Sequence, residues 1–343
     1  MSRCLLAILF ILCFSNAKGR ADTTRQAFVK SYPDYSFIWP FIRQRSLQFN
    51  VQNRNGRSDV LNFRPNNSFS MGLGLYVFDV VVELGAAVPI DEKSRNRFGD
   101  SDTRDLRANI IGKNWGFDFF TQKFSSFYLA NPSQTIGANE PFPLRPDISL
   151  QNFGVNGIYA FNKKKFSLRS SYNYAERQLK SGGSVMLAGI FSSARLASDS
   201  VVLSQQLQTR LGVDDTFSNL RYTTLSLAPG YSYNLIYRSM FVNLTLSVGP
   251  AHHWVYYHDG VGAPHYDIAI NTFVDSRVAI GYNSDRWFGG VGFISQSREV
   301  RFDQFQFTTA ASSFKMLVGY RIKERGIFKK RIWDFLPELT ARL

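Results

Sequence analysis

The chain has 343 residues, with 40 lysines and arginines against 26 aspartates and glutamates and a formal net charge of +14. Both cysteines, Cys4 and Cys13, lie close to the N-terminus, which excludes a disulfide framework or a thiolate metal site in the rest of the chain. So basic a chain is expected to meet an anionic partner, either nucleic acid or an anionic membrane surface.

Residues 1–17 have the pattern of a cleaved secretory signal. Arg3 precedes an apolar run from Cys4 to Phe14, and the small residues ending at Ala17 fit a peptidase site, so we expect cleavage after Ala17. The apolar run is shorter than the roughly 20 residues of a membrane-spanning helix. Export excludes nucleic acid as a partner, and we expect the basic charge to meet outer-membrane lipid and lipopolysaccharide instead.

Beyond the signal, large apolar residues alternate with small polar ones. Between residues 68 and 77 the odd positions are large and apolar, while the even positions include Gly72 and Gly74. The same period of two occurs in the stretches 166–174, 242–249, 267–282 and 314–322. A soluble β-sandwich would carry a bulky charged outer face with few glycines inside its strands. The alternation therefore predicts an all-β fold, an antiparallel transmembrane β-barrel, in preference to a sandwich.

Thirteen candidate strands follow from this period. They are 44–52, 68–78, 80–90, 103–112, 115–126, 149–161, 165–177, 183–195, 219–234, 239–257, 266–283, 286–298 and 312–322. Single-chain bacterial barrels have even strand numbers. Either 197–211 hides a further strand or one candidate does not span, so we predict about 12–14 strands. The expected domains are the signal peptide 1–17, an N-terminal periplasmic segment 18–43, the barrel 44–322 and a basic C-terminal tail 323–343.

Two sequence signatures resemble a known family of exported proteins. Phe63-Arg64-Pro65-Asn66-Asn67 precedes the strand with Gly72 and Gly74, and Gly112-Lys113-Asn114-Trp115-Gly116-Phe117-Asp118 follows later, while Asp22-Thr23-Thr24 and Tyr32-Pro33 fit the opening. From about residue 22 to 322 the chain resembles the DUF4421 family. The resemblance implies an outer-membrane barrel of a Gram-negative bacterium with unknown function, and it assigns no catalytic or ligand residues.

Charged residues on the polar face are the candidate lumen-lining site. By alternation they are Glu83, Arg107, Asp118, Arg169, Asp275, Arg277, Lys315 and Arg321. Such charges either select a solute in an open lumen or pair with one another and keep a narrow barrel shut. Both interpretations stay open, and no cofactor or metal ligand is predicted.

A histidine-rich stretch between Pro250 and Gly260 is the one pattern that suggests catalysis. Period two places His252 on the lipid side and His253 on the lumen side, so adjacent histidines cannot form one site. An aromatic girdle at the membrane interface is the preferred interpretation.

Three functions are compatible with these patterns. The first is a channel or passive transporter for small polar solutes, and no enzyme activity is expected with it. The second is a closed structural barrel that presents the long loops predicted at 127–148 and 299–311 to a partner. The third is a lipid-modifying barrel enzyme built around His253. In each case the barrel-assembly machinery is an expected partner.

Overall fold

The structure is a computed structural model and describes residues 23–56, 59–77 and 80–324. The strands are β1 Val29–Ser31, β2 Tyr35–Asn53, β3 Val60–Pro65, β4 Ser70–Val77, β5 Val80–Ala87, β6 Asp102–Ile111, β7 Trp115–Leu129, β8 Leu144–Ala160, β9 Glu176–Gln178, β10 Gly182–Ala197, β11 Phe217–Tyr237, β12 Met240–Asp259, β13 Pro264–Asn283, β14 Trp287–Phe302 and β15 Phe305–Lys323. The helices are α1 Thr23–Phe28, α2 Glu92–Phe98, α3 Leu168–Tyr172 and α4 Gln205–Leu211. None of these described helices has both the length and the hydropathy needed to cross a bilayer.

Ten strands close an antiparallel barrel. In order around the wall they are β15, β14, β13, β12, β11, β10, β8, β7, β3 and β2, and β15 pairs again with β2. The closing pair runs from Phe305 opposite Asn53 to Lys323 opposite Tyr35. A closed ring pairs its backbone groups between strands, which allows a sheet to span hydrocarbon. The predicted antiparallel β-barrel is therefore confirmed, but ten strands close the ring where about 12–14 were predicted.

Three further strands widen one side of the wall. β4 continues the course of β3 along β2, β5 pairs with β4, and β6 pairs with β7, which makes a 13-stranded sheet. No backbone pairing joins β5 to β6 among the described residues. We call the unpaired interval between β5 and β6 the wall gap. At one end the wall gap is limited by β3, which pairs directly with β7 from Phe63 to Pro65.

The outer face of the wall changes character along β15. On β15 the outward side chains of Met316, Val318 and Ile322 are 42, 56 and 50% exposed, whereas the outward residues Gln306 and Thr308 nearer the other end are polar. A β-strand that crosses a bilayer presents an apolar stretch of about ten residues to the lipid. We call the end with this band, where β2 begins and β15 finishes, the proximal end, and the opposite end the distal end.

The distal half of the lumen is filled by an apolar cluster that we call the outer core. It combines inward side chains of the distal strand ends with residues of the connection 198–216, which carries α4. Its fully buried members include Phe49, Phe63, Phe124, Phe127, Phe217, Phe302, Phe305 and Phe307. The alternative that 197–211 hides a further strand is wrong, because residues 205–211 are helical.

The proximal half of the lumen holds residues 161–181, which we call the plug. A wall strand predicted at 165–177 is wrong, since α3 and β9 lie in this stretch. β9 pairs with β1 and not with the wall, from Val29 opposite Gln178 to Ser31 opposite Glu176. The chain therefore enters the barrel between β8 and β10 instead of crossing the wall.

Other boundaries also differ from the sequence prediction. β2 begins at Tyr35, so residues 35–43 belong to the wall and not to the N-terminal segment. The long loop predicted at 299–311 is wrong, because β14 and β15 form a tight hairpin in which Phe302 pairs with Phe305. The loop predicted at 127–148 is shorter, since β7 ends at Leu129 and β8 begins at Leu144. The signal peptide 1–17 and tail residues 325–343 lie outside the described residues.

Because Gly74 has no side chain, the indole of Trp39 packs directly against the inner wall at this position. A Cβ atom at residue 74 would lie 2.0 Å from Trp39 Cε2. We expect Gly74→Ala to lower the free energy of unfolding by about 1–3 kcal/mol, because overpacking forces the ring to move. The matched control is Gly292→Ala, whose nearest neighbour would be Ala279 Cβ at 3.8 Å. The temperature at which the folded band disappears in heat-modifiable gel migration would measure the stability of both variants. An equal loss of stability in the two would contradict the prediction.

Candidate functional site

A cavity of about 270 Å³ lies in the lumen between the plug and the inner faces of β2, β5, β6, β7, β13, β14 and β15. Its charged lining residues are Arg43, Arg45, Arg107, Arg277, Lys315, Glu83, Asp105 and Asp118. Five of these side chains are cationic and three are anionic, so the lining has an excess of positive charge. We call this space the central cavity, and its charge favours an anion.

Glu83 on β5 is one centre of the charged lining. Its carboxylate pairs with Arg43 of β2 at 3.0 Å and with Lys315 of β15, and it accepts a hydrogen bond from Trp39 Nε1 at 3.1 Å. The side chains of Arg43 and Glu83 are only 14 and 16% exposed. In such surroundings a charge is stable only with close partners, so this cluster fixes β5 against the closed wall.

Asp105 on β6 is the second centre. It pairs with Arg45 of β2 at 2.9 Å and with Arg107 of its own strand at 3.5 Å, and Arg107 pairs in turn with Asp118 at 3.2 Å. Arg45 also donates to the backbone carbonyl of Asp105 at 3.4 Å. Two neighbouring arginines of β2 therefore bind the two strands that border the wall gap, Arg43 holding β5 and Arg45 holding β6.

Arg277 is the cavity cation without a carboxylate in hydrogen-bond contact among the described residues. It donates to the carbonyl of Ser171 in the plug at 2.7 Å, and its guanidinium lies 3.6 Å from the ring centre of Tyr172. Within the part of the chain that the structure describes, its Nε has no hydrogen-bond partner. The arginine thus joins the wall to the plug and retains capacity for an anionic ligand.

Polar contacts also hold the proximal face of the plug. Asp285, in the turn between β13 and β14, accepts from Lys30, Tyr32 and Arg177 at 2.8, 2.9 and 3.1 Å. The hydrogen bond from Lys30, together with the nearby cations, lowers the pKa of Asp285 to about 2. The aspartate is therefore ionised at neutral pH and holds the N-terminal segment and the plug to one wall turn.

The eight predicted lumen residues fall into four groups. Those that line the central cavity are Glu83, Arg107, Asp118, Arg277 and Lys315. Asp275 lines an adjoining cavity of about 100 Å³. Arg169 lies on α3 of the plug, not on a wall strand, and donates to the Tyr76 hydroxyl. Arg321 lies on β15 nearer the proximal end, where it donates to the carbonyl of Tyr174 at 2.6 Å.

Sequence reasoning missed Arg43, Arg45 and Trp39. In residues 35–43 both faces of β2 are apolar, with Ile38 and Ile42 outward, so the period of two is not visible. Pro40 also argues against a strand, because proline is rare inside strands. The only available signal was the step from apolar to basic residues at position 43. Trp39 and Arg43 therefore fell in the segment predicted to lie outside the barrel, and Arg45 fell in the predicted strand 44–52 without being assigned to the lumen.

The histidine-rich stretch is divided between the two faces of β12, as its alternation predicted. Trp254 is 46% exposed, whereas His253 is fully buried, and its Nδ1 lies 2.9 Å from Thr224 Oγ1. The imidazole faces the lumen, so the barrel wall separates it from lipid esters in the membrane. No group of three or more potential metal ligands occurs among the described residues.

A closed barrel with an apolar outer band around a charged lumen defines the class of the protein, which is an outer-membrane β-barrel. The chain belongs to the family described as "Domain of unknown function (DUF4421)", whose model matches residues 20–322. The resemblance noted in the sequence is thereby confirmed. No curated protein matches the chain.

Solved structures similar to the chain include three other barrels. Ail of Yersinia pestis in complex with sucrose octasulfate has 9% identity and a TM-score of 0.23, covering 83% of this chain and 99% of its own. OmpT, an outer membrane protein of Vibrio cholerae, has 8% identity and a TM-score of 0.28, with 84 and 99% covered. The P. putida toluene transporter TodX has 8% identity and a TM-score of 0.18, with 86 and 91% covered.

Proposed function

We propose that this protein is a plugged, substrate-selective passive transporter that binds a small anionic solute in the central cavity. The observation that carries the proposal is the cavity itself, about 270 Å³ in volume, with five cationic and three anionic side chains in its lining. A space of this size is close to the lower limit of small-molecule sites. Its fixed cations would hold an anion without a metal or a cofactor.

The way the plug is bound supports a movable gate. Wall side chains hold its backbone by hydrogen bonds, such as Arg277 to the carbonyl of Ser171 and Asn283 to the carbonyl of Glu176 at 3.0 Å. Water can replace such bonds, because each contributes only about 0.5–1.5 kcal/mol to stability, or about 1.5–3 kcal/mol where the donor is charged. The outer core is apolar and fully buried, so its displacement would expose far more apolar surface. Exchange is therefore expected on the plug side.

Single cysteines would test the anion site. In a background with Cys4 and Cys13 changed to Ser, Ser313→Cys places a thiol in the cavity lining, and Val261→Cys, at a position 92% exposed, is the control. We expect the ratio of reaction rates with an anionic and a cationic methanethiosulfonate to be higher at residue 313 than at residue 261. Adding Arg277→Gln should reduce that preference, because it removes one fixed cation.

A closed interaction barrel is the second candidate, and the outer core favours it. It predicts that the thiol at residue 313 stays unreactive with both reagents. A cation preference at that position would reject the anion site. Regular conductance steps of the wild-type protein in a planar bilayer would contradict the closed distal end.

A further inference from the structure

We propose that the wall gap is a lateral opening through which an amphiphile with an anionic head group and an apolar chain enters the central cavity from the membrane. The inference rests on the proposed function for the head-group site, but it assigns another substrate class and another route. It commits to the bilayer as the source of the molecule. Four observations on the described residues carry it.

The first observation is the position of the unpaired strand edges. Leu84 on β5 and Leu106 on β6 point outward and are 73 and 72% exposed, so the wall gap lies within the apolar band. β5 pairs only with β4, and β6 pairs only with β7, in the part of the chain that the structure describes. In hydrocarbon, each unsatisfied backbone group costs several kcal/mol, and open edges persist only where they border protein or a polar cavity. The central cavity fulfils this condition.

The second observation is that one residue lines spaces on both sides of the wall. Leu106 borders the central cavity and also a surface depression of about 330 Å³ over β6, β7 and β8. Leu106 lies on β6, whose edge toward β5 is unpaired among the described residues. The central cavity and the depression therefore lie on the two faces of a strand that borders the wall gap.

The third observation is the mixed chemistry of the cavity lining. Beside its charged groups, the cavity is lined by Val81, Ile111, Ile294 and Leu317. Its volume, about 270 Å³, suits a head group and the start of one acyl chain, not a whole lipid. The rest of the chain would lie in the depression next to Leu106 and in the bilayer. Apolar and cationic surfaces side by side are what an anionic amphiphile requires.

The fourth observation concerns what holds the edges in place. Arg43 and Arg45 bind the strands of the wall gap from inside, at 3.0 Å to Glu83 and 2.9 Å to Asp105. Ion pairs fix these strands where backbone pairing is missing. An anionic head group can compete with both carboxylates for the same arginines, so binding would loosen the gap that admits the ligand.

Quenching of Trp39 by brominated lipid tests the opening. Trp39 is 3% exposed and lines the cavity next to Glu83. A variant in which Trp115, Trp254, Trp287 and Trp333 are changed to Phe leaves it as the single tryptophan. In vesicles of phosphatidylglycerol brominated in its acyl chains, we expect a loss of Trp39 emission relative to unbrominated vesicles. The loss should be smaller with brominated phosphatidylcholine, which lacks a net negative charge.

A tryptophan behind the closed wall is the matched control. Phe273 is 1% exposed and lies on the inner face of β13, which is paired on both sides. In a protein with Trp39→Phe and the other tryptophans replaced, Phe273→Trp should keep its emission in both brominated vesicles. Equal quenching at residues 39 and 273 would overturn the proposal, because it would show only the reach of bromine through the wall. Unchanged emission of Trp39 would overturn it as well.

Bridging the gap gives a second readout. Leu84→Cys and Leu106→Cys, joined by a bifunctional maleimide, should restore Trp39 emission in brominated phosphatidylglycerol. The same bridge between Leu244→Cys and Val278→Cys, whose residues face each other on the paired strands β12 and β13, should have no effect. Equal quenching by the two lipids would overturn the anionic head group. Failure of the anion site itself would appear separately, in the cysteine reactivity at residue 313.

Discussion

Replacing Glu176 by alanine is expected to release the plug from the N-terminal segment and to open residues 161–181 to proteolysis. Glu176 is fully buried and accepts hydrogen bonds from Ser167 Oγ at 2.5 Å, Arg25 Nη2 at 2.6 Å and Ser31 Oγ at 3.1 Å. Removing one partner of a buried ion pair costs about 3–5 kcal/mol. The loss should appear as faster hydrogen exchange across the plug, while the wall strands stay protected.

Glu299→Ala is the matched control for this prediction. Its partner is Arg301 at 2.8 Å, and the two side chains are 24 and 44% exposed. Such surface pairs contribute about 0–1 kcal/mol, so exchange and proteolysis should stay at the wild-type rate. Unchanged protection of the plug in Glu176→Ala would show that the carboxylate does not hold it.

Arg298 and Arg321 are expected to respond to the same substitution with opposite signs. Both side chains are buried, each with 1% exposure. Among the described residues, Nε, Nη1 and Nη2 of Arg298 have no hydrogen-bond partner, although Asp275 attracts its charge. Burying a charge without a hydrogen-bonded partner costs several kcal/mol, which an apolar residue of similar volume avoids. Arg298→Met should therefore raise the free energy of unfolding.

Arg321→Met should lower it. This arginine donates to the carbonyl of Tyr174 at 2.6 Å and to Asn283 Oδ1 at 2.8 Å, and it lies 4.1 Å from the ring centre of Tyr32. Each buried acceptor left unpaired costs about 1–3 kcal/mol. Urea unfolding of the two variants in the same lipid vesicles measures the difference. A loss of stability in Arg298→Met would mean that a bound anion or ordered water satisfies that guanidinium.

The sequence predicted the wall strands well because the bilayer imposes a strict alternation on them. On β12 the outward Leu244, Leu246 and Trp254 are exposed, while the inward His253 and Val255 are buried. Neighbouring positions differ so strongly in hydropathy there that period two is visible without structural information. The charged cavity lining on β5, β6, β7, β13 and β15 followed from the same alternation.

Alternation alone could not identify the plug or the distal hairpin. Phe166 and Leu168 repeat at a spacing of two, but both are buried in the plug, where the surroundings are protein on all sides. At the distal end of β14 the alternation is reversed, with Val300 and Phe302 inward and Glu299 and Arg301 outward, because water and not lipid surrounds this part of the wall. Because these outward residues are polar, the composition of the stretch 299–311 is like that of a loop, and the hairpin was predicted as one.

The wall gap left no mark on the sequence at all. Both of its strands carry outward apolar residues such as Leu84 and Leu106, as fully paired strands do. Strand pairing depends on which edges meet in space, and the pattern of single strands does not contain that information. The arginines at positions 43 and 45 became interpretable only once their partners on β5 and β6 were known.

Closure of the barrel between β2 and β15 also sets the order in which the molecule can be assembled. The last strand of the wall pairs with the first, so the contact that completes the ring joins the two most distant parts of the barrel sequence and is expected to form late. The plug bonds to β1 at one side and to Arg321 of β15 at the other. We therefore expect the plug to be in place when the ring closes, so that the wall forms around residues 161–181.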